Sequence, residues 1–200
     1  DVYKRQPLTS IGDMADWIDG LLASLGVAQA TLVGHSQGVL VALETASRHP
    51  ERVAALTLIA GAMAIPVNDA LIEMSQSAPE KAYRMMTSWG HGPGAHKFDN
   101  TQPGHAFLGY GRRVMAQNDG AALHADLVAC NSYDGGKDAA ASITQPSLCL
   151  LAGKDKMTPV KFGRKMAEQI SNAQCHVFER AGHFLPAEFP IEVNDAMAAF

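Results

Sequence analysis

Long apolar runs are what this chain most clearly lacks. No stretch of its 200 residues approaches a membrane span, which takes about 20 consecutive apolar residues, so no membrane partner is expected. Basic charge is not in excess either. Sixteen Lys and Arg stand against 20 Asp and Glu, a net charge of −4, and no basic patch collects on one segment, so no nucleic-acid partner is expected. Cysteine is scarce, with only Cys130, Cys149 and Cys175. Two of the three fall on runs that read as buried strands, which favours buried thiols over a disulfide and a reducing, cytoplasmic compartment. No H-E-x-x-H or other compact ligand spacing occurs. His91, His96 and His105 gather with Asp99 in a Gly/Pro-rich stretch and read as solvated loop histidines. No metal and no cofactor is implied. Internal repeats and low-complexity tracts are missing too. What remains is 47% hydrophobic, enough for one globular domain with a sizeable core.

The most informative segment that is present is Gly34-His35-Ser36-Gln37-Gly38. It follows the strand-like Ala30-Thr31-Leu32-Val33 and precedes a helix-like run from Val39 to Ala46. A serine on a tight turn between strand and helix is held up with its hydroxyl exposed. Its backbone is expected to sit in a sparsely populated region. Gly34 and Gly38 carry no side chain, which lets strand and helix approach closely. The helix N-terminus offers unpaired N–H groups, that of Gln37 among them, where an oxyanion would form. His35 is the variable position of this string.

Two downstream segments fit the same chemistry. Asp155 follows the apolar run Ser147–Ala152 and Gly153-Lys154, and Thr158-Pro159 then reads as N-cap and first residue of a helix. His183 lies in Ala181-Gly182-His183-Phe184-Leu185-Pro186, after the strand-like run Gln174–Glu179. A serine needs an imidazole to take its proton, and the imidazole needs a carboxylate to orient it. Each residue also has a plain structural reading, Asp155 as a turn cap and His183 as a loop residue at an element boundary.

The G-x-S-x-G string in this setting resembles the nucleophile elbow of the α/β-hydrolase family, whose triad runs Ser, then Asp or Glu, then His. Gly153 to Pro159 loosely resembles the family's G-x-x-D-x-x-x-P pattern, with the Asp two places after the Gly. The loop around His183, with Pro186 and Glu188 beyond it, is similar to the family's histidine loop. The resemblance implies catalytic Ser36, Asp155 and His183, one oxyanion contact from Gln37, and an elbow framed by Gly34, His35 and Gly38. It also implies a serine hydrolase acting on a carboxylic ester or related acyl bond of a small, apolar substrate. Carbon–carbon bond hydrolysis of a ring-cleavage diketone and a non-catalytic small-molecule receptor of the same fold are the alternatives.

Hydrophobic periodicity predicts helix 11–25, strand 30–34, helix 37–48, strand 53–60, strand 147–152, helix 159–171, strand 174–179 and helix 190–200. The fold class expected is α/β, a mostly parallel sheet of about four strands flanked by helices. Residues 7–63 and 144–200 form the expected core. Residues 64–143 form an insertion with helical patterns near 69–77, 79–89, 107–117 and 121–133, which the resemblance makes a helical lid. Met63, Met74, Met85, Met86, Met115, Trp89 and Phe107 give it soft apolar surface. They are read either as an adaptable pocket wall or as packing of the lid onto the core.

Both ends carry expectations of their own. Asp1-Val2-Tyr3-Lys4-Arg5-Gln6 reads as the translation of a transposon-end sequencing adapter, and residues 1–6 are taken as a scar. The resemblance implies several strands before the nucleophile, yet only Pro7 to Gln29 precede the elbow's strand. Phe200 falls inside a helix pattern. The chain therefore reads as a fragment, clipped hard at its N-terminus and slightly at its C-terminus, without the loop that gives the family's second oxyanion donor. As written it is expected to be inactive, with an aggregation-prone edge at Thr31-Leu32-Val33.

Overall fold

The computed structural model describes residues 8–98, 107–118 and 120–200. The stretch read as a scar, and His105 and Asp99, lie outside the described residues.

Helix Ile11–Ser24 (α1) begins where Ser10, in extended backbone, accepts a hydrogen bond from Asp13 N at 3.0 Å, a capping bond worth about 1 kcal/mol. It stops where Gly26 turns left-handed at φ 68°. The chain then alternates strand and helix: Ala30–His35 (β1), Gln37–Arg48 (α2), a 3-10 turn at Pro50–Arg52, and Val53–Ile59 (β2). A helical segment follows, with Asp69–Ser77 (α3), Pro79–Gly90 (α4), Pro93–Phe98 (α5), Phe107–Met115 (α6), Gly120–Ser132 (α7) and Gly136–Ser142 (α8). The alternation resumes with Ser147–Ala152 (β3), Val160–Gln169 (α9), Ala173–Phe178 (β4), Leu185–Glu188 (α10) and Pro190–Ala199 (α11).

The four strands pair in parallel in the order β1-β2-β3-β4. Leu32 sits opposite Leu56, Leu58 opposite Cys149, and Cys149 opposite Cys175. β3 is buried along its whole length, as a strand covered on both faces must be. Its alternate residues feed two cores. Cys149 and Leu151 pack with Val39 and Leu43 of α2, Leu56 and Leu58 of β2, and Met166 of α9. Leu148 and Leu150 pack with Ile59, Leu185 and Val193 on the opposite face. Each of these fully buried aliphatic side chains contributes about 1.5–3 kcal/mol of transfer free energy.

The apolar content of β4 suggests a buried strand, but it closes one edge of the sheet, and Gln174, Cys175 and His176 are exposed. Cys149 and Cys130 are the buried thiols, and burial pushes them up to about 12 and about 11. Helix α8 was not anticipated, because seven residues are too few for a periodic signal. Its Ala139 and Ala140, with Ile143 beyond it, lie in the core built on α2 and β2. His91 is not a solvated loop residue. It is 4% exposed, its Nδ1 lies 2.8 Å from Thr87 O, and its ring packs 4.7 Å from that of Phe184.

Candidate active site

The turn after β1 is strained as its sequence suggested. Ser36 adopts φ 56° and ψ −119°, a conformation that costs a non-glycine residue about 1–3 kcal/mol. It is held there from both sides: Ser36 N donates to Ile59 O at 3.1 Å, and Val39 N donates to Ser36 O at 2.9 Å. A Cβ on Gly34 would collide with the carbonyl of Gly38, so that position has to be glycine for α2 to start so close to β1. Gly38 itself does not serve the close approach expected of it, since a Cβ there meets nothing within 4 Å. Gln37 is the first residue of α2, where helix N–H groups have no intrahelical partner. Its side chain donates to Asp126 O at 2.9 Å.

Asp155 and His183 are brought together by the loops that follow β3 and β4. His183 Nδ1 lies 2.8 Å from Asp155 Oδ2, and both side chains are buried. Asp155 Oδ1 accepts from Met157 N and Thr158 N, both at 2.8 Å. Burial alone would raise its carboxyl, but the bonds from His183 and Thr158 outweigh burial and hold it below the usual carboxylate value. An ionised Asp155 fixes His183 as the tautomer with hydrogen on Nδ1, which leaves Nε2 free to accept a proton. Among the described residues no hydrogen bond links Ser36 to His183; such bonds between reacting groups are often long where no ligand is bound.

Thr158 does something different from the helix capping its sequence implied. Pro159 is the N-cap of α9, with no side-chain bond to the helix. The Thr158 hydroxyl lies 2.7 Å from Asp155 Oδ2 and 2.8 Å from Ala60 O. Ala60 is the other non-glycine residue at positive φ among those described, at 45°, so the end of β2 is bent where it accepts this hydroxyl.

His35 and Glu188 were not picked out as supports for His183, yet both hold its loop. His35 Nε2 lies 2.7 Å from His183 O. Burial, with the nearby His183, lowers the His35 imidazole to about 4, so it donates as a neutral ring. Glu188 Oε1 accepts from Gly182 N at 3.1 Å, and Oε2 accepts from Gly92 N at 2.9 Å. One carboxylate thus joins the His183 loop to the end of α4, and Phe184 N donates to Gly90 O at 3.1 Å alongside. The Glu188 position was visible only as part of a motif. Its two bonds reach across 96 and 6 residues of chain, and no local pattern encodes the longer one.

A cavity of about 260 Å³ opens beside Ser36 and Gln37. Ile65, Leu71, Met86, Trp89, Leu127 and Met157 supply its apolar wall, and Asn68, Asp126 and Lys156 its polar positions. Of the soft residues singled out in the sequence, Met86 and Trp89 reach the cavity. Met74, Met85 and Met115 pack inside the helical segment with Leu71 and Ala82. Met63 packs on the sheet core, and the side chain of Phe107 lies outside those described. Asn68 is committed as the cap of α3, with its Oδ1 accepting from Leu71 N at 2.8 Å.

Residues 4–190 match the family model described as the alpha/beta hydrolase fold. The chain belongs to that family. Among curated relatives, the hydrolase is 27% identical to 2-hydroxymuconate semialdehyde hydrolase of Pseudomonas putida, an alignment covering 93% of this chain and 68% of that protein. It is 28% identical to pimeloyl-[acyl-carrier protein] methyl ester esterase of Neisseria meningitidis, over 86% of this chain and 68% of that protein. Among solved structures, it superposes on the enol-lactonase of Burkholderia xenovorans with a TM-score of 0.83 at 21% identity, covering 94% of this chain and 73% of the other. An esterase of Exiguobacterium antarcticum gives a TM-score of 0.82 at 20% identity, covering 96% and 73%. At these identities the structural likeness speaks for the fold. No helix among the described residues is long and apolar enough to cross a membrane.

Proposed function

We propose that this hydrolase cleaves a carboxylic ester or related acyl bond of a small, mostly apolar substrate. Ser36 attacks the carbonyl carbon, His183 takes the hydroxyl proton and returns it to the leaving group, and Asp155 holds the imidazole in the competent tautomer. The N–H of Gln37 receives the oxyanion, a contact whose loss costs about 10²–10³ in rate in comparable sites. Water then repeats the sequence on the acyl-enzyme, releasing the acid and restoring Ser36. The observation that carries this reading is the buried Asp155–His183 bond at 2.8 Å, on the same face as a strained serine at a helix N-terminus that opens onto an apolar cavity.

Carbon–carbon bond hydrolysis is kept as a second reading because of the similarity to 2-hydroxymuconate semialdehyde hydrolase. The same three side chains serve it, and the two readings differ in substrate. The test is labelling of the full-length protein by a fluorophosphonate probe, followed by turnover of short aryl esters against ring-cleavage diketones. Labelling that disappears in Ser36→Ala, with ester turnover ahead of diketone turnover, is the expected result. Equal labelling of wild type and Ser36→Ala would sink the serine mechanism and leave a small-molecule receptor. Diketone turnover ahead of ester turnover would select the second reading.

A further inference from the structure

The cavity beside Ser36 holds a charge that its apolar wall does not need. Asp126, on α7, is one of the two charged residues lining it. The other, Lys156, is exposed. Among the described residues no cationic side chain pairs with Asp126. Its turn of α7 is tied to the elbow, because Gln37 Nε2 donates to Asp126 O at 2.9 Å. The backbone that carries this carboxylate is therefore held beside the elbow. Burial pushes its carboxyl up, and hydrogen bonding from Gln37 draws it partly back.

The size of the cavity makes this charge matter. A sphere of about 260 Å³ is only about 8 Å across, no more than one Debye length at physiological ionic strength. A second negative charge inside it sits close to Asp126, in a largely apolar setting where salt screens poorly. Ile65, Leu71, Met86 and Leu127 offer no hydrogen-bond donor; the donors on the lining include Ser36, Gln37 and Asn68, with Lys156 exposed. A neutral tail meets no such opposition, and a cationic one gains a partner that Asp126 otherwise lacks.

We propose that Asp126 sets the charge preference of this site: substrates whose tail enters the cavity are neutral or cationic there, and those that carry a carboxylate on that tail are excluded. The proposal rests on the cavity being the substrate site of the hydrolase reading, and it narrows the substrate class within it. It also sets this chain apart from relatives named for dioate substrates, such as the 2-hydroxy-6-oxononadienedioate hydrolase of Burkholderia vietnamiensis.

The test separates binding from chemistry. Three amides of equal length, ending in methyl, trimethylammonium or carboxylate, are titrated into the full-length protein. Trp89 fluorescence reports, in a Trp17→Phe background, because Trp89 lines the cavity. The expected result is a carboxylate-tailed amide bound at least about tenfold more weakly than the methyl-tailed one, and a gap that closes to within about threefold in Asp126→Asn. Asp126→Ser is read in the same way should the Asn variant fail to fold. Equal or tighter binding of the carboxylate amide, a gap that persists in the variants, or no binding of any of the three overturns the proposal. The same tails on 4-nitrophenyl esters are then compared as kcat/KM ratios. Selective binding without turnover would count against the hydrolase reading and leave the Asp126 assignment standing, whereas turnover without the charge gap would do the reverse.

Discussion

Asp155→Asn separates the orienting role of this side chain from its structural one. Oδ1 accepts two backbone N–H groups, from Met157 and Thr158, so the amide oxygen of an asparagine has to stay there. The reverse flip would set its NH₂ against two donors. The NH₂ then faces the Thr158 hydroxyl and His183 Nδ1, where Oδ2 stood. Thr158 adapts easily, accepting from the amide while it donates to Ala60 O. His183 adapts only by giving up the hydrogen on Nδ1, which moves it to Nε2 and leaves no base facing the serine. All buried partners stay satisfied, so the fold loses only the difference between charged and neutral hydrogen bonds, about 1–3 kcal/mol. Catalysis loses the tautomer, about 10⁴ in kcat, or roughly 5.5 kcal/mol at 1.36 kcal/mol per tenfold. The assay is ester turnover and fluorophosphonate labelling of the full-length protein beside a thermal melt. A folded Asp155→Asn protein within tenfold of wild-type kcat would refute the tautomer argument and the role given to Asp155.

Other outcomes follow from single contacts. Gly34→Ala drives a Cβ into the Gly38 carbonyl, and is expected to cost on the order of 2 kcal/mol of stability and to slow labelling of Ser36; an unchanged melt and labelling rate would contradict the close approach. Glu188→Ala strands the N–H groups of Gly92 and Gly182, and at about 1–3 kcal/mol per buried orphan the melting temperature should fall by about 5–15 °C. His35 is lowered from 6.5 to about 4 in the fold, so its contribution is complete above pH 6.5 and is lost as pH falls from there to about 4, on the order of 3 kcal/mol. Denaturant titrations should show that loss in wild type and a shallower one in His35→Gln, which keeps an N–H donor for His183 O. Asp155, lowered from 3.8, adds stability above its ordinary value that disappears as pH falls through its folded one, so Asp155→Asn should flatten the acid limb below about pH 4.

Local chemistry decided what could be read from the sequence. β1, α2, β2 and β3 carry periodic or continuous apolar patterns, and the structure places them within a residue or two of the expected bounds. The elbow was legible because its strain needs glycine at a fixed offset from the serine, and Gly34 supplies it. The supports of His183 were not legible. His35 touches a backbone oxygen 148 residues away, and Glu188 joins two loops, one of them 96 residues distant. Neither distant partner is encoded near the residue that needs it. Thr158 misled for a related reason: a threonine before a proline suits an N-cap, but a buried carboxylate three residues back competed for the same hydroxyl. Cys175 misled because apolar content along β4 does not reveal which strand ends the sheet.

The Glu188 tether bears on how the cavity wall is held. Its two carboxylate oxygens hold the Gly92 and Gly182 amides at 2.9 and 3.1 Å, and the Phe184 amide grips the Gly90 carbonyl beside them. The far end of α4 is therefore clamped to the loop that carries His183. The cavity wall draws Leu71 from α3, Met86 and Trp89 from α4 and Leu127 from α7. Two anchors thus join that wall to the loops that carry Ser36 and His183: the Glu188 carboxylate at the end of α4, and the Gln37 bond to Asp126 O on α7.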